Sequence, residues 1–173
     1  ASKFMGAPVA SYLKPSHPLQ KRNRETLARF SGILARKIPL ATDGCSAPTF
    51  ALSLRAAARA MARFADEPGT PGRVRAAMMA HPAMVGRPCA TLMSAAPGRV
   101  IAKAGAEGVY VMGFPGQGVG LALKVEDGNA RAWVHVLHAV VRKLGLPVDL
   151  RKAADPVLRN HAGLRVGEVR VSL

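Results

Sequence analysis

Three side chains of this chain combine reactive chemistry with an informative setting. Cys45 sits in the turn-rich segment Asp43-Gly44-Cys45-Ser46-Ala47-Pro48, two residues after a carboxylate. Loop amides around a thiol can lower its pKa, and a thiolate is both a nucleophile and a metal ligand. Lys103 is the one cation of the apolar run 100–104 and is followed by Ala104-Gly105. A lone lysine there is either a charged guard on a sheet edge or an ammonium whose small neighbours leave room for a substrate. Cys89 lies fourteen residues before it.

Other patterns fail a local test. Ser11-Tyr12-Leu13-Lys14 has the S-x-x-K spacing of a serine nucleophile and its lysine base, but Pro15 prevents the helix that would align them. Gly116-Gln117-Gly118-Val119-Gly120 resembles half of a phosphate-binding fingerprint, yet it precedes an expected strand where a nucleotide loop would precede a helix. His135 and His138 stand three apart and could grip a metal, without an acidic or cysteine partner nearby in sequence. Met78, Met79 and Met84 read as core filler.

These residues must be positioned by the elements around them. Residues 1–17 carry Pro8 and Pro15 and read as an extended lead-in. Pro18 opens a helix whose apolar spacing through Leu34 predicts that it runs toward Pro39. The stretch 49–67, free of Gly and Pro, predicts a second helix, and the Pro-Gly-Thr-Pro-Gly linker at 68–72 closes it. Shorter helices are expected at 74–80 and 89–95. Beyond Pro97 the apolar period changes to two, predicting strands at 99–104, 109–113 and 119–125 in an antiparallel meander. A long helix at 130–144 follows, stopped by Gly145 and Pro147, and 147–173 reads as a C-terminal tail. The fold class is therefore α+β: a mainly helical part at 18–96, then, at 97–146, a sheet with the long helix laid on one face.

Composition narrows the function classes. With 173 residues, 49% of them apolar, the chain suits one domain with an ordinary core. The longest uncharged stretch, 108–123, is broken by Gly113, Pro115, Gly116, Gly118 and Gly120, so no membrane span is expected. No secretory signal is visible, and a cytoplasmic location with two free thiols is the expectation. The net charge of +15 comes from 25 cations, seventeen of them Arg. Nucleic acid is not the expected partner, because the cations are scattered and few aromatics are present to stack on bases.

Five blocks in unbroken order carry a resemblance. They are Thr42-Asp43-Gly44-Cys45-x-x-Pro48, Ala80-His81-Pro82-x-Met84-Val85, Cys89-x-x-Leu92-Met93, Lys103-x-Gly105-Ala106-Glu107-Gly108-x-Tyr110, and Ala122-Leu123-Lys124-Val125-Glu126-Asp127-Gly128-Asn129. From about residue 12 to 146 the chain resembles the C-terminal half of the asparaginase II family, the bacterial, thermolabile Rhizobium-type L-asparaginases. The resemblance implies hydrolysis of the L-asparagine side-chain amide on a fold related to serine β-lactamases and glutaminases. It implies that Cys45 is a zinc ligand, that Lys103 is the second active-site lysine, and that Asp43 and Lys103 face substrate, with Cys89 near the site. The family's Ser-x-x-Lys nucleophile and its Cys-Ser-Gly-Lys-His metal segment have no counterpart here. The chain is accordingly expected to represent the C-terminal half of such a domain, inactive without the other half, with a homo-oligomer as a further expectation. The alternative is an inactive truncated relative that serves as a binding module for an acidic partner.

Overall fold

In the computed structural model, which describes residues 1–173, the lead-in is tied to the first helix by one histidine. His17 Nδ1 accepts the Leu19 N–H at 3.1 Å, capping α1 (Pro18–Ser31), while its Nε2 donates to the Pro8 carbonyl at 3.0 Å. The helix stops at Gly32, whose φ of +73° is the left-handed cap that glycine tolerates best. It therefore ends well short of Pro39, and a 3-10 turn, Ala35–Lys37, takes over the expected last helical turn.

A hairpin missing from the sequence-based expectation comes next. β1 (Leu40–Thr42) pairs antiparallel with β2 (Pro48–Phe50). Thr49 and Phe50 are good strand formers, and the hairpin partner takes them from the expected helix. Helix α2 (Leu54–Asp66) thus begins at the Ser53 cap, whose hydroxyl accepts the Ala56 N–H at 3.3 Å. Helix α3 (Thr70–Ala80) recruits Pro71 into its first turn, so the expected linker is partly helical. Helix α4 (Arg87–Ala95) follows.

The antiparallel meander forms as expected, with β3 (Ile101–Ala104), β4 (Val109–Phe114) and β5 (Val119–Lys124) in the order β3-β4-β5. Alternation gives its two faces different partners. On one face α2 crosses β4 and β5 so closely that only glycine fits beneath it. A Cβ on Gly120 would lie 2.0 Å from the Ala58 carbonyl, and one on its cross-strand partner Gly113 would lie 2.6 Å from the Met61 carbonyl. On the other face Tyr110, Met112 and Phe114 are fully buried in one core with Cys89, Leu92 and Met93 of α4 and with Trp133, Leu137 and Val141 of α5 (Trp133–Lys143). The Tyr110 and Trp133 rings stand 4.9 Å apart, a pairing worth about 0.5–1.5 kcal/mol beyond its buried area.

The expectation of one long helix on one sheet face is corrected in two respects. Residues 130–132 form a 3-10 turn, leaving α5 eleven residues long, and α2 is the helix in closest contact with the sheet. The tail is not featureless either. It carries β6 (Val157–Arg159) and β7 (Arg165–Glu168), a hairpin that exposes Leu158, Leu164 and Val166. The architecture is mixed α/β, with five α-helices and three small antiparallel sheets.

The arginine excess has a partly internal use. Arg59 donates to the Ser31 carbonyl and Arg63 to those of Arg29 and Phe30, so α2 satisfies the last carbonyls of α1. Arg24 does the same for Arg36 and Ile38, and Arg75 for Phe64 and Glu67.

Candidate active site

The β1–β2 turn holds Asp43 and Cys45 against each other. Asp43 N–H donates to Ala47 O and Ser46 N–H to Asp43 O, both at 2.8 Å, with Ser46 at φ +68°. This tight fold lets the exposed Cys45 thiol donate to Asp43 Oδ2 at 3.3 Å. The contact fixes the direction of the thiol within the turn.

Lys103 and Cys89 occupy the free edge of the meander. Lys103 is exposed on β3, the edge strand, and its ammonium folds back onto the Ala104 carbonyl at 2.7 Å. Cys89 is buried on α4, and its sulfur accepts the Ala104 N–H at 3.1 Å. Five ion pairs are formed in the chain, and Lys103 is in none of them.

An apolar cavity of about 380 Å³ lies between α1, β2, α2 and the sheet, and neither the Cys45 turn nor the edge strand lines it directly. Phe50, on the strand leaving the Cys45 turn, lines it together with Val111, the cross-strand partner of Lys103. Residues opposed across a strand pair share a face, so Lys103, Val111 and Ala122 form one row on the α2 face. Lys124, paired with Val109 in the next row, is the only charged residue lining the cavity. Nothing in its local sequence marks it, because the face a strand residue presents depends on strand register and on which helix covers that face. No hydrogen bond joins Asp43 or Cys45 to Lys103; the thiol pairs with Asp43 and the ammonium with Ala104.

As a zinc site the residues present fall short. Zinc centres take three or four protein ligands, and no group of three His, Cys, Asp or Glu comes together anywhere in the chain. Asp43 and Cys45 offer two donors, so they do not by themselves fit a zinc centre.

Most remaining patterns find structural explanations, but of the three methionines expected as core filler only Met78 and Met79 pack against the core, whereas Met84 is exposed on a 3-10 turn. Ser11 lies in a 3-10 turn (Val9–Ser11) with its hydroxyl on the Pro8 carbonyl and no bond to the Lys14 side chain. The Gly116 and Gly118 amides, which could have cradled a phosphate, donate to the Asp66 carboxylate at 2.6 and 3.2 Å. Tyr110 is held protonated well above the ordinary phenol range, first by burial, then by the charge and hydrogen bond of Cys89. Its hydroxyl donates to the Pro88 carbonyl at 3.3 Å, which leaves it a packing role. No helix is long and apolar enough to cross a membrane.

A family model described as L-asparaginase II matches residues 1–171, nearly the full chain. No curated protein matches it. With the thiol turn, the lysine-bearing edge strand and the cavity under α2 all inside the matched span, the chain belongs to the L-asparaginase II family.

Proposed function

We propose that this chain supplies the cation-bearing part of an L-asparagine amidohydrolase. The observation that carries the reading is the family match over 1–171 together with the common sheet face of Lys103 and Lys124 beside the cavity below the Cys45 hairpin. In the overall reaction water adds oxygen to the side-chain carbonyl carbon, the C–N bond breaks, and ammonia leaves with the proton it takes up. Asparagine keeps an α-carboxylate throughout, and Lys103 is the group proposed to clamp it. Asp43 orients the Cys45 thiol beside the same ligand.

The clamp needs cover. Two unit charges 4 Å apart attract by about 1 kcal/mol in water and about 4 kcal/mol in the partly shielded setting of a protein surface. Lys103 is exposed, so it gains its full hold only when a further segment or a closed substrate complex excludes water. No hydroxyl in residues 1–173 is bonded to a lysine or histidine base, so the nucleophile is proposed to come from a segment with the Ser-x-x-Lys motif. Zinc at Cys45 is proposed only with ligands from that same segment. The alternative of a module for an acidic partner draws less support, since Arg24, Arg59, Arg63 and Arg75 are already engaged with main-chain carbonyls.

The test is ammonia release from L-asparagine by the 173-residue chain, alone and after complementation with a family N-terminal segment carrying Ser-x-x-Lys and Cys-Ser-Gly-Lys-His. The expected result is no release alone and turnover after complementation, lost on Lys103→Ala without a matching loss of melting temperature. Turnover by the chain alone would overturn the missing-nucleophile reading, and equal loss of activity and stability would make Lys103 structural.

A further inference from the structure

On the other side of the sheet from the Lys103 row, α5 presents a basic stripe that no part of the proposed reaction uses. His135, His138 and Arg142 recur at spacings of three and four, so they share one flank of α5 beside its core face of Trp133, Leu137 and Val141. The chain after α5 folds back along this flank and brings Arg151 to it. Two adjoining hollows result, of about 460 and 500 Å³, and His138, Arg142 and Arg151 line both. Volumes of this size are those of small-molecule sites, typically about 300–1,000 Å³.

The donors are largely uncommitted. The Arg142 guanidinium and the two imidazoles have no hydrogen-bond or ion-pair partner in the chain. Arg151 has one side fixed: its Nε and Nη2 donate to the Asp149 carboxylate at 3.0 and 2.7 Å. That pair sets the guanidinium in place and leaves its Nη1 edge for a ligand. Two guanidiniums against one carboxylate leave a net positive hollow before either imidazole is counted.

The arrangement also discriminates between anions. A planar carboxylate is satisfied by one arginine fork, whereas a phosphate spreads its oxygens in three dimensions and uses donors converging from several directions. Here two arginines and two imidazoles come from two separate segments, α5 and 147–156. The 460 Å³ hollow continues into an apolar floor that includes Ala154, Val169 and Val171, which suits the organic part of an ester. We propose that this cleft binds the phosphate group of a small soluble phosphate monoester, at a site distinct from the asparagine site.

Calorimetric titration of the full chain at constant ionic strength tests this, with inorganic phosphate, phenyl phosphate, sodium chloride and a single-stranded oligonucleotide as separate titrants. Saturable 1:1 binding of phenyl phosphate, tighter than inorganic phosphate and absent with chloride, is expected. Arg142→Ala, at an exposed position, should weaken it about tenfold, the worth of one charge-assisted hydrogen bond, and His135→Ala should weaken it measurably. Arg22→Ala, on α1, should leave it unchanged. Absence of saturation with either phosphate, equal weakening by Arg22→Ala, or binding of the oligonucleotide alone would overturn the proposal. Should Arg142→Ala fail to fold, His135→Ala and an Arg142→Lys variant carry the same comparison.

Discussion

Cys89 and Lys103 meet at a single residue of the sheet edge: the Cys89 sulfur accepts the N–H of Ala104 at 3.1 Å while the Lys103 ammonium covers its carbonyl at 2.7 Å. An edge strand leaves every second residue with unpaired main-chain groups, and these two side chains satisfy both groups of Ala104. Cys89→Ala would leave a part-buried N–H without an acceptor, at a cost toward the lower end of about 1–3 kcal/mol. Urea unfolding should register that loss, whereas Cys45→Ser in the exposed turn should stay within about 0.5 kcal/mol of the parent. In thiol labelling of the folded protein, Cys45 should react promptly and Cys89 only on unfolding; equal labelling rates would refute the edge arrangement.

The α2 crossing gives a sharper stability test. Gly120→Ala places a methyl 2.0 Å from the Ala58 carbonyl, and backbone cannot swing aside as a side chain can. The expected cost is at or above the upper end of the ~1–3 kcal/mol usual for overpacking. Gly116→Ala, with nothing within 4 Å and φ +76°, should cost only the left-handed backbone strain of about 1–2 kcal/mol. Similar denaturation midpoints for the two variants would mean that α2 does not sit on the sheet as described.

Alkaline pH should expose Tyr110. Its phenol in the folded chain holds the proton beyond the ordinary value of about 10, so folding stability is intact below that pH and declines above it, by about 1.4 kcal/mol per pH unit for this one group. In a Tyr12→Phe background, phenolate absorbance should develop only together with loss of helical circular dichroism. Reversible ionisation in a chain that remains folded would contradict the burial.

Asp66 ties the end of α2 to the glycine loop fifty residues further on, through the Gly116 N–H. Asp66→Asn keeps the shape and removes the charge that two amides share, so a loss of about 1–2 kcal/mol is expected. Amide hydrogen exchange should quicken at Gly116 and Gly118 and stay unchanged in β3; unchanged exchange throughout would show that the carboxylate contributes nothing to the loop.

Much of the fold is legible locally. The change of apolar period after Pro97 and the glycine-bearing breaks specify the β3-β4-β5 meander, because alternation and turn chemistry act within a few residues. Helix ends are less legible: Gly32 stops α1 before Leu34, and Thr49 and Phe50 join a strand because β1 is there to pair with them. The β6–β7 hairpin went unseen, since three-residue β6 carries too few positions to display a period.

The candidate site divides in the same way. The sequence by itself determined the Asp43–Cys45 pairing, two residues apart in a tight turn, and the ordered blocks that mark the L-asparaginase II family. Only the tertiary structure decided that Lys124 shares a face with Lys103, that Cys89 caps Ala104, that Asp66 fills the glycine loop, and that four arginines are spent on carbonyls. Those contacts join residues far apart in the chain. Strand register and helix placement set them through the burial of a whole core, and no local run of residues carries that information.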